Sequence, residues 1–356
     1  MLLGVALGDA LGGPWEFVNS GGLRCDGKGF LRPAELGYRW AEEVGNAFKP
    51  IQWGPYHAVG PFFSEVGQVT DDTEMTIALA RSLVNTKRFD ADNVALSYID
   101  WAGSKGRMMG RNTKALFAGI KSTGVRALAT YRKRWAKSYG SETLQADWTQ
   151  SNGCLMRASP LAVFRSAEPA TKDCQISNPH PLCVASCRFY HAWLRAVLLG
   201  QAPTDAAVAV RERTLAVCAS TPGSWDEMVC LAVRRALGGE VADGKKGWCL
   251  SSLTRAVAAH MAASQPGGPT GADYIFAVVR ECVRMGGDTD TNAAIAGAVA
   301  GAYVGSEREA SAFEERPVLC TILSCDTSKG QLQRPERFWA REVLGLATGL
   351  AALWES

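Results

Sequence analysis

Carboxylates grouped in two short runs are the residues of this chain best suited to chemistry. The first run is Thr70-Asp71-Asp72-Thr73 and the second is Gly286-Gly287-Asp288-Thr289-Asp290-Thr291. They stand toward opposite ends of the sequence, and each opens an apolar helical pattern, where acids are favoured. Four carboxylates with flanking hydroxyls make an all-oxygen set that suits hard divalent cations such as Mg²⁺ or Mn²⁺. If the fold brings the runs together, they make a two-metal hydrolase centre.

Each run also has a plainer use. Asp71 with Glu74 three residues on fits a capping box, and Asp290 fits an N-cap. Asp-Asp between threonines, plus Asp-Thr-Asp-Thr after two glycines, is more acid than capping needs, because adjacent like charges are costly without a cation. Asp288, Asp290 and Asn292 begin like an EF-hand loop, but Ala293 stands at its required glycine and Val299 at its required glutamate. Zinc is disfavoured, since His57, His180, His191 and His260 lack zinc-site spacing with another His or Cys.

The elements that must position these runs read as helices. Helical periodicity marks Thr73 to Leu83, Ala185 to Leu199, Thr204 to Ala219, Ser224 to Leu237, Leu250 to Ala263, Ala272 to Met285, Asn292 to Val304 and, opened by proline, Pro335 to Leu350. Alternating β-branched runs are almost absent, so the expected class is all-α. Ala167 to Leu182, with Pro169, Pro179 and Pro181, reads as a connection between helices. Residues 18–67 read as a long loop rich in Gly, Pro and aromatics, Trp40, Trp53, Tyr56, Phe62 and Phe63 among them; such loops are usually functional. Gly297, Gly301 and Gly305 recur every four residues, which fits close helix packing that brings Asp288 and Asp290 toward the first run. With no linker and the half-sites far apart, residues 1–356 are expected to form a single domain.

Composition narrows the function. Hydrophobic content of 47% allows a core, and the net charge of +3, from 38 basic and 35 acidic residues, is nearly balanced. The densest basic cluster, Arg132-Lys133-Arg134, reads as a solvated helix face, so no nucleic-acid partner is expected. The N-terminal apolar stretch has no basic lead and is broken by Asp9, and the stretch Ala293 to Val304 is too short to span a bilayer; neither a signal peptide nor a membrane partner is expected. The 11 cysteines contain no CxxC pair and read as small buried apolar residues in a reducing, cytoplasmic compartment. Cys183 and Cys187 would share one helix face.

Taken in order, these motifs resemble the ADP-ribosylglycohydrolase family, which includes the dinitrogenase-reductase-activating glycohydrolases and the ADP-ribosyl-arginine and ADP-ribosyl-serine hydrolases. Gly4 to Gly12 followed by Trp15-Glu16-Phe17 is similar to the family's opening helix and glutamate. Thr70-Asp71-Asp72-Thr73-Glu74-Met75 and Gly287 to Gly297 are similar to its two metal motifs. Gly110-Arg111-Asn112-Thr113 and Asn152-Gly153-Cys154-Leu155-Met156-Arg157 are similar to its middle motifs. The resemblance implies an all-α fold and two Mg²⁺ or Mn²⁺ ions held by Thr70, Asp71, Asp72, Asp288, Asp290 and Thr291. It also implies ADP-ribose bound with its distal ribose over the metals, and an ADP-ribosylated protein or ADP-ribose derivative as substrate.

On that reading the reaction is hydrolysis at the anomeric carbon of the distal ribose, through an oxocarbenium-like centre attacked by water. Asp71 or Asp290 would accept the water's proton, and Glu16 would orient the ribose or protonate the leaving group. Ser151, Asn152 and Gly153 would contact ribose or diphosphate, or form a plain turn. Arg111 would pair with phosphate or with a helix carboxylate, and Trp148 would stack on adenine or serve as an ordinary tryptophan. Asp9 is counted with the substrate side, orienting ligands from behind, or as a buried structural acid. Asn178 stands where relatives often carry a histidine, and His180 beside it reads as a surface residue between prolines. The arginine linkage is favoured over serine, with a small ADP-ribose derivative as a further substrate class. A non-catalytic ADP-ribose binder on the same fold, or a metal-stabilised interaction module using the aromatic loop, is the alternative. Oligomeric state is not legible.

Overall fold

The computed structural model describes residues 1–13, 67–104, 109–140, 147–242, 247–306, 317–327 and 333–354. Among them are fourteen α-helices, four 3₁₀ turns and no strand, in line with the all-α expectation. The aromatic stretch 18–67 lies outside the described residues, except for Gly67.

The innermost helix is α12 (Thr289–Ser306). Its residues Ala293–Ala302 are Ala, Gly, Val and Ile on every face, and a helix apolar all round must be buried. It packs on α1 (Leu2–Gly12), α11 (Gly271–Met285), α10 (Cys249–Ala263) and α7 (Pro181–Leu198). The seam with α1 is unusually close. A Cβ added at Gly8 would stand 2.0 Å from the carbonyl oxygen of Ala293, and one at Gly4 would stand 1.9 Å from that of Gly297. Gly297 and Gly301 therefore pack against α1 as their spacing suggests, but a Cβ added at Gly305 would meet nothing within 4 Å, so close packing does not require that glycine. The seam ends where Thr289 Oγ1 donates to Gly12 O at 2.8 Å, fixing the start of α12 on the end of α1.

Polar bonds reinforce the inner layer. The His260 ring of α10 contacts Tyr274 Oη at 2.8 Å and Ala296 O at 3.1 Å. Since a carbonyl only accepts, Nε2 carries the proton and Nδ1 accepts from the tyrosine, which leaves the ring neutral. Burial depresses this histidine's pKa to about 3. Tyr190 on α7 donates to Ile295 O at 2.9 Å.

The remaining helices are α2 (Asp71–Thr86), α3 (Ala91–Gly103), α4 (Arg111–Phe117), α5 (Gly124–Ser138), α6 (Glu168–Ser177), α8 (Pro203–Cys218), α9 (Trp225–Leu237), α13 (Pro317–Ser324) and α14 (Glu342–Ala351). Two sequence expectations need correction. The stretch Ala167 to Leu182 is not a connection: it holds α6, because Pro169 sits in the first turn, where a missing N–H costs nothing. Pro335 to Leu350 is not one helix but a 3₁₀ turn, Glu336–Phe338, followed by α14. The basic cluster does lie on a helix, α5, where Arg132 reaches Asp92 at 2.7 Å and Arg134 reaches Ala118 O at 2.7 Å.

Candidate functional site

The first acidic run is held from beneath by α1. Asp9 is fully buried, and its carboxylate accepts the N–H of Thr70 at 2.9 Å, the N–H of Thr73 at 3.0 Å and the Thr73 hydroxyl at 2.6 Å. Thr70 caps α2 and Thr73 lies in its first turn, so Asp9 satisfies helix N–H groups from another element. The expected capping box is therefore absent. Glu74 instead accepts Trp101 Nε1 at 2.8 Å and the Arg334 guanidinium at 2.6 and 2.8 Å, all out of solvent.

This arrangement frees the acids above it. Asp71 is partly exposed and Asp72 is buried. Asp72 Oδ2 lies 3.0 Å from Thr70 Oγ1, while Asp72 Oδ1 is buried with no hydrogen-bond partner. A buried carboxylate oxygen without a partner is costly and calls for a cation or water.

The second run is held by backbone and amide groups. The carbonyl of Asp288 accepts the Asn292 N–H at 2.9 Å, so Asp288, not Asp290, occupies the N-cap position of α12. Asp290 is buried and accepts the N–H of Thr291 at 2.7 Å. Asp288 Oδ2 accepts from Asn152 Nδ2 at 2.7 Å, and Asn152 also donates to Ser252 Oγ at 3.0 Å. The Asn152 N–H is anchored on Gly247 O at 2.9 Å. Gly247 has φ +73°, and a Cβ there would meet Asp288 Oδ2 at 3.2 Å, so glycine suits both the turn and the approach.

The two runs meet electrostatically. Burial, then the charges of Asp9, Glu74 and Asp288, pushes Asp71 up to about 7. Burial, then Asp9, Asp71 and Asp288, raises Asp72 well above the carboxylate range. Asp9 and Asp288 are themselves raised, chiefly by burial, against hydrogen bonds that favour their charged forms. Such mutual repulsion is what a bound cation reverses. Among the described residues no three carboxylates bring one oxygen each within 4.8 Å of one another.

Beside the acids, Ser151 Oγ accepts from Asn112 Nδ2 at 3.2 Å and from Asn178 Nδ2 at 2.8 Å. Two donors on its oxygen leave its proton as the group it can offer a ligand. Asn178, in place of the histidine expected from relatives, thus braces Ser151, also donating to its carbonyl at 3.0 Å. His180 is not on the surface. It is buried against the Trp225 ring and accepts the Leu182 N–H at 3.1 Å, capping α7.

Asn112 is the residue that sequence reasoning passed over. It is buried, its Oδ1 has no partner, and it reaches Ser151, whereas Arg111 before it is exposed. The signal available for it was its place in the motif Gly110-Arg111-Asn112-Thr113, from which Arg111 alone was taken as a site residue. Gly153 faces open space, with nothing within 4 Å of an added Cβ. Glu16 and the Trp148 side chain lie outside the described residues.

Comparison with known proteins places this geometry. Residues 1–309 match the model of the ADP-ribosylglycohydrolase family. The chain is 26% identical over 194 residues to an ADP-ribosyl-[dinitrogen reductase] glycohydrolase of Rhodospirillum rubrum, covering 52% of each. It is also 26% identical over 194 residues to the ADP-ribosylarginine hydrolase Tri1 of Serratia proteamaculans (strain 568), covering 53% of this chain and 43% of that protein. It thus spans about half the length of these curated relatives. A solved structure described as an ADP-ribosylglycohydrolase-related protein complex shares the fold, at TM-score 0.55 and 21% identity over 99% of this chain and 96% of that one. The chain belongs to the ADP-ribosylglycohydrolase family.

Proposed function

We propose that the chain is a metal-dependent hydrolase that releases ADP-ribose from modified protein side chains by cleaving the glycosidic bond at the distal ribose. The observations that carry this reading are that the charge of Asp288 raises both Asp71 and Asp72, and that Asp72 Oδ1 is buried without a hydrogen-bond partner. The donor set fits hard divalent cations. Asp71, Asp72, Asp288 and Asp290 offer carboxylates, and Thr70 gives its proton to a carboxylate while its oxygen keeps a lone pair for a ligand role. Thr291 completes the six residues assigned to two Mg²⁺ or Mn²⁺ ions. When bound, these ions supply charge for holding vicinal ribose hydroxyls and for acidifying a water.

The chain's own groups account for the rest. Asp71, partly exposed at the first turn of α2, or Asp290 on α12 takes the proton of the attacking water. Glu16 is assigned to the ribose or the leaving group. Ser151 presents its hydroxyl to the ribose or diphosphate, with Gly153 leaving room for close approach. Asn152 and Asp9 act as positioning residues, the first on Asp288 and the second beneath Thr70 and Thr73. Arginine is the favoured linkage, supported by the name of the Serratia relative.

The test is mass-spectrometric detection of free ADP-ribose from ADP-ribosyl-arginine and ADP-ribosyl-serine peptides, with Mg²⁺ and with EDTA. The proposal expects metal-dependent release from the arginine peptide. Absence of release from both, with ADP-ribose still bound in calorimetry, would make the protein a binder instead.

A further inference from the structure

Five cysteines from four separate elements converge behind the Ser151–Cys154 loop. Cys154 closes the 3₁₀ turn Asn152–Cys154, Cys174 lies on α6, Cys183 and Cys187 lie one turn apart on α7, and Cys249 opens α10. All five are buried free thiols. The Sγ atoms of Cys154, Cys183 and Cys249 lie within 4.8 Å of one another, and so do those of Cys154, Cys174 and Cys187. Cys154 is the shared corner.

Single buried cysteines are ordinary small core residues. Cys218, Cys230 and Cys282 are of that kind, buried and outside the cluster. Two sulfur triangles on one shared atom need another account. The centre of a triangle with sides of at most 4.8 Å lies within about 2.8 Å of each sulfur, a short contraction away from the ~2.3 Å that a Zn–S bond needs. No set of four among the described residues meets the same limit, so the geometry is trigonal.

We propose that Cys154, Cys183 and Cys249 form a buried site for one soft d¹⁰ metal ion, Zn²⁺ or Cu(I), distinct from the acid site. This triangle is favoured because it is tied to one point of backbone. Cys154 and Cys183 both direct Sγ at Ser151 O, at 3.8 and 3.7 Å. Cys249 follows Trp248, whose backbone bridges to Ser151. Cys174 is engaged elsewhere, donating to Asn178 O at 3.2 Å.

Binding releases the three thiol protons to solvent. Zn²⁺ on three thiolates leaves one net negative charge, near the buried guanidinium of Arg157, which donates to Gly153 O at 3.0 Å and pairs with buried Asp173 at 3.1 Å. Thiolates select soft ions, and the all-oxygen acid site selects hard ones, so the two would not compete. Such an ion would pin the loop from which Asn152 holds Asp288.

The test uses the full chain, purified without chelator and analysed by plasma mass spectrometry. It is then titrated under argon with Zn²⁺ or Cu(I), with thiols counted in denaturant. The expected result is about one Zn or Cu per chain, lost in Cys183→Ser and Cys249→Ser and kept in Cys187→Ser and Cys230→Ser; the metal found names the ion. Wild-type protein that takes up neither ion would overturn the proposal whether or not the variants fold. So would folded Cys183→Ser and Cys249→Ser that bind as wild type, or thiols paired as disulfides.

Discussion

The two half-sites carry the same kind of ligand but are anchored by different physics. The Thr70–Asp72 half rests on buried charge: Asp9 below it and the Glu74–Arg334 pair behind it. The Asp288–Thr291 half rests on shape. Gly4 and Gly8 let α1 and α12 touch backbone to backbone, and the neutral amide of Asn152 donates to Asp288 at 2.7 Å. Charge anchors hold only while each partner is present, because a lone buried ion is severely penalised. Shape anchors fail only when volume is added. The first half should therefore be the one broken by deleting a partner, and the second the one broken by adding a methyl group.

The largest effect is expected from Gly8→Val. Its Cβ would overlap Ala293 O at 2.0 Å, and backbone cannot yield as a side chain can. The cost should exceed the ~1–3 kcal/mol usual for overpacking, read as loss of the cooperative urea transition. Next, Arg334→Ala should cost about 3–5 kcal/mol in urea melts, since it strands Glu74 at 0% exposure. Converting both Arg334 and Glu74 to apolar residues should recover much of that loss; equal losses in the single and double variants would mean the pair is not an anchor.

Acid should weaken the α10–α12 contact in a graded way. His260 has a folded pKa of about 3 against 6.5 when free, so below pH 6.5 the unfolded chain binds a proton that the native ring refuses. Stability is full above pH 6.5, falls as pH drops toward 3, and should be down by about 2 kcal/mol at pH 5. His260→Gln should flatten that part of the profile. Asn152→Ala should weaken Mn²⁺ binding, followed by paramagnetic resonance, by roughly 10–100-fold with little change in melting. The smallest effect belongs to Gly305→Ala. A Cβ added there would meet nothing within 4 Å, so the variant should be stable to within about 0.5 kcal/mol of wild type in the same urea melts, in contrast to Gly8.

Much of this was legible in the chain. Residues repeating along one helix face announced α2 and α7 to α12, and the order of the acidic runs announced the half-sites. Periodicity missed the short α4 and the proline-led α6, and also the longer α3 and α5. Partners set by tertiary contact were invisible for a different reason. Nothing near Thr70 in sequence says that its cap is Asp9, or that Glu74 turns away to Arg334. The sulfur cluster is the sharpest case. Spacing arguments look along the chain, and five cysteines from four elements have no spacing in common.

The most direct test of the central claim, that the two acidic runs form one site, is ADP-ribose release by Asp72→Ala and Asp288→Ala, measured beside circular dichroism. The account predicts that each substitution alone abolishes metal-dependent release while the helical spectrum stays largely intact. Turnover retained in both variants would contradict it.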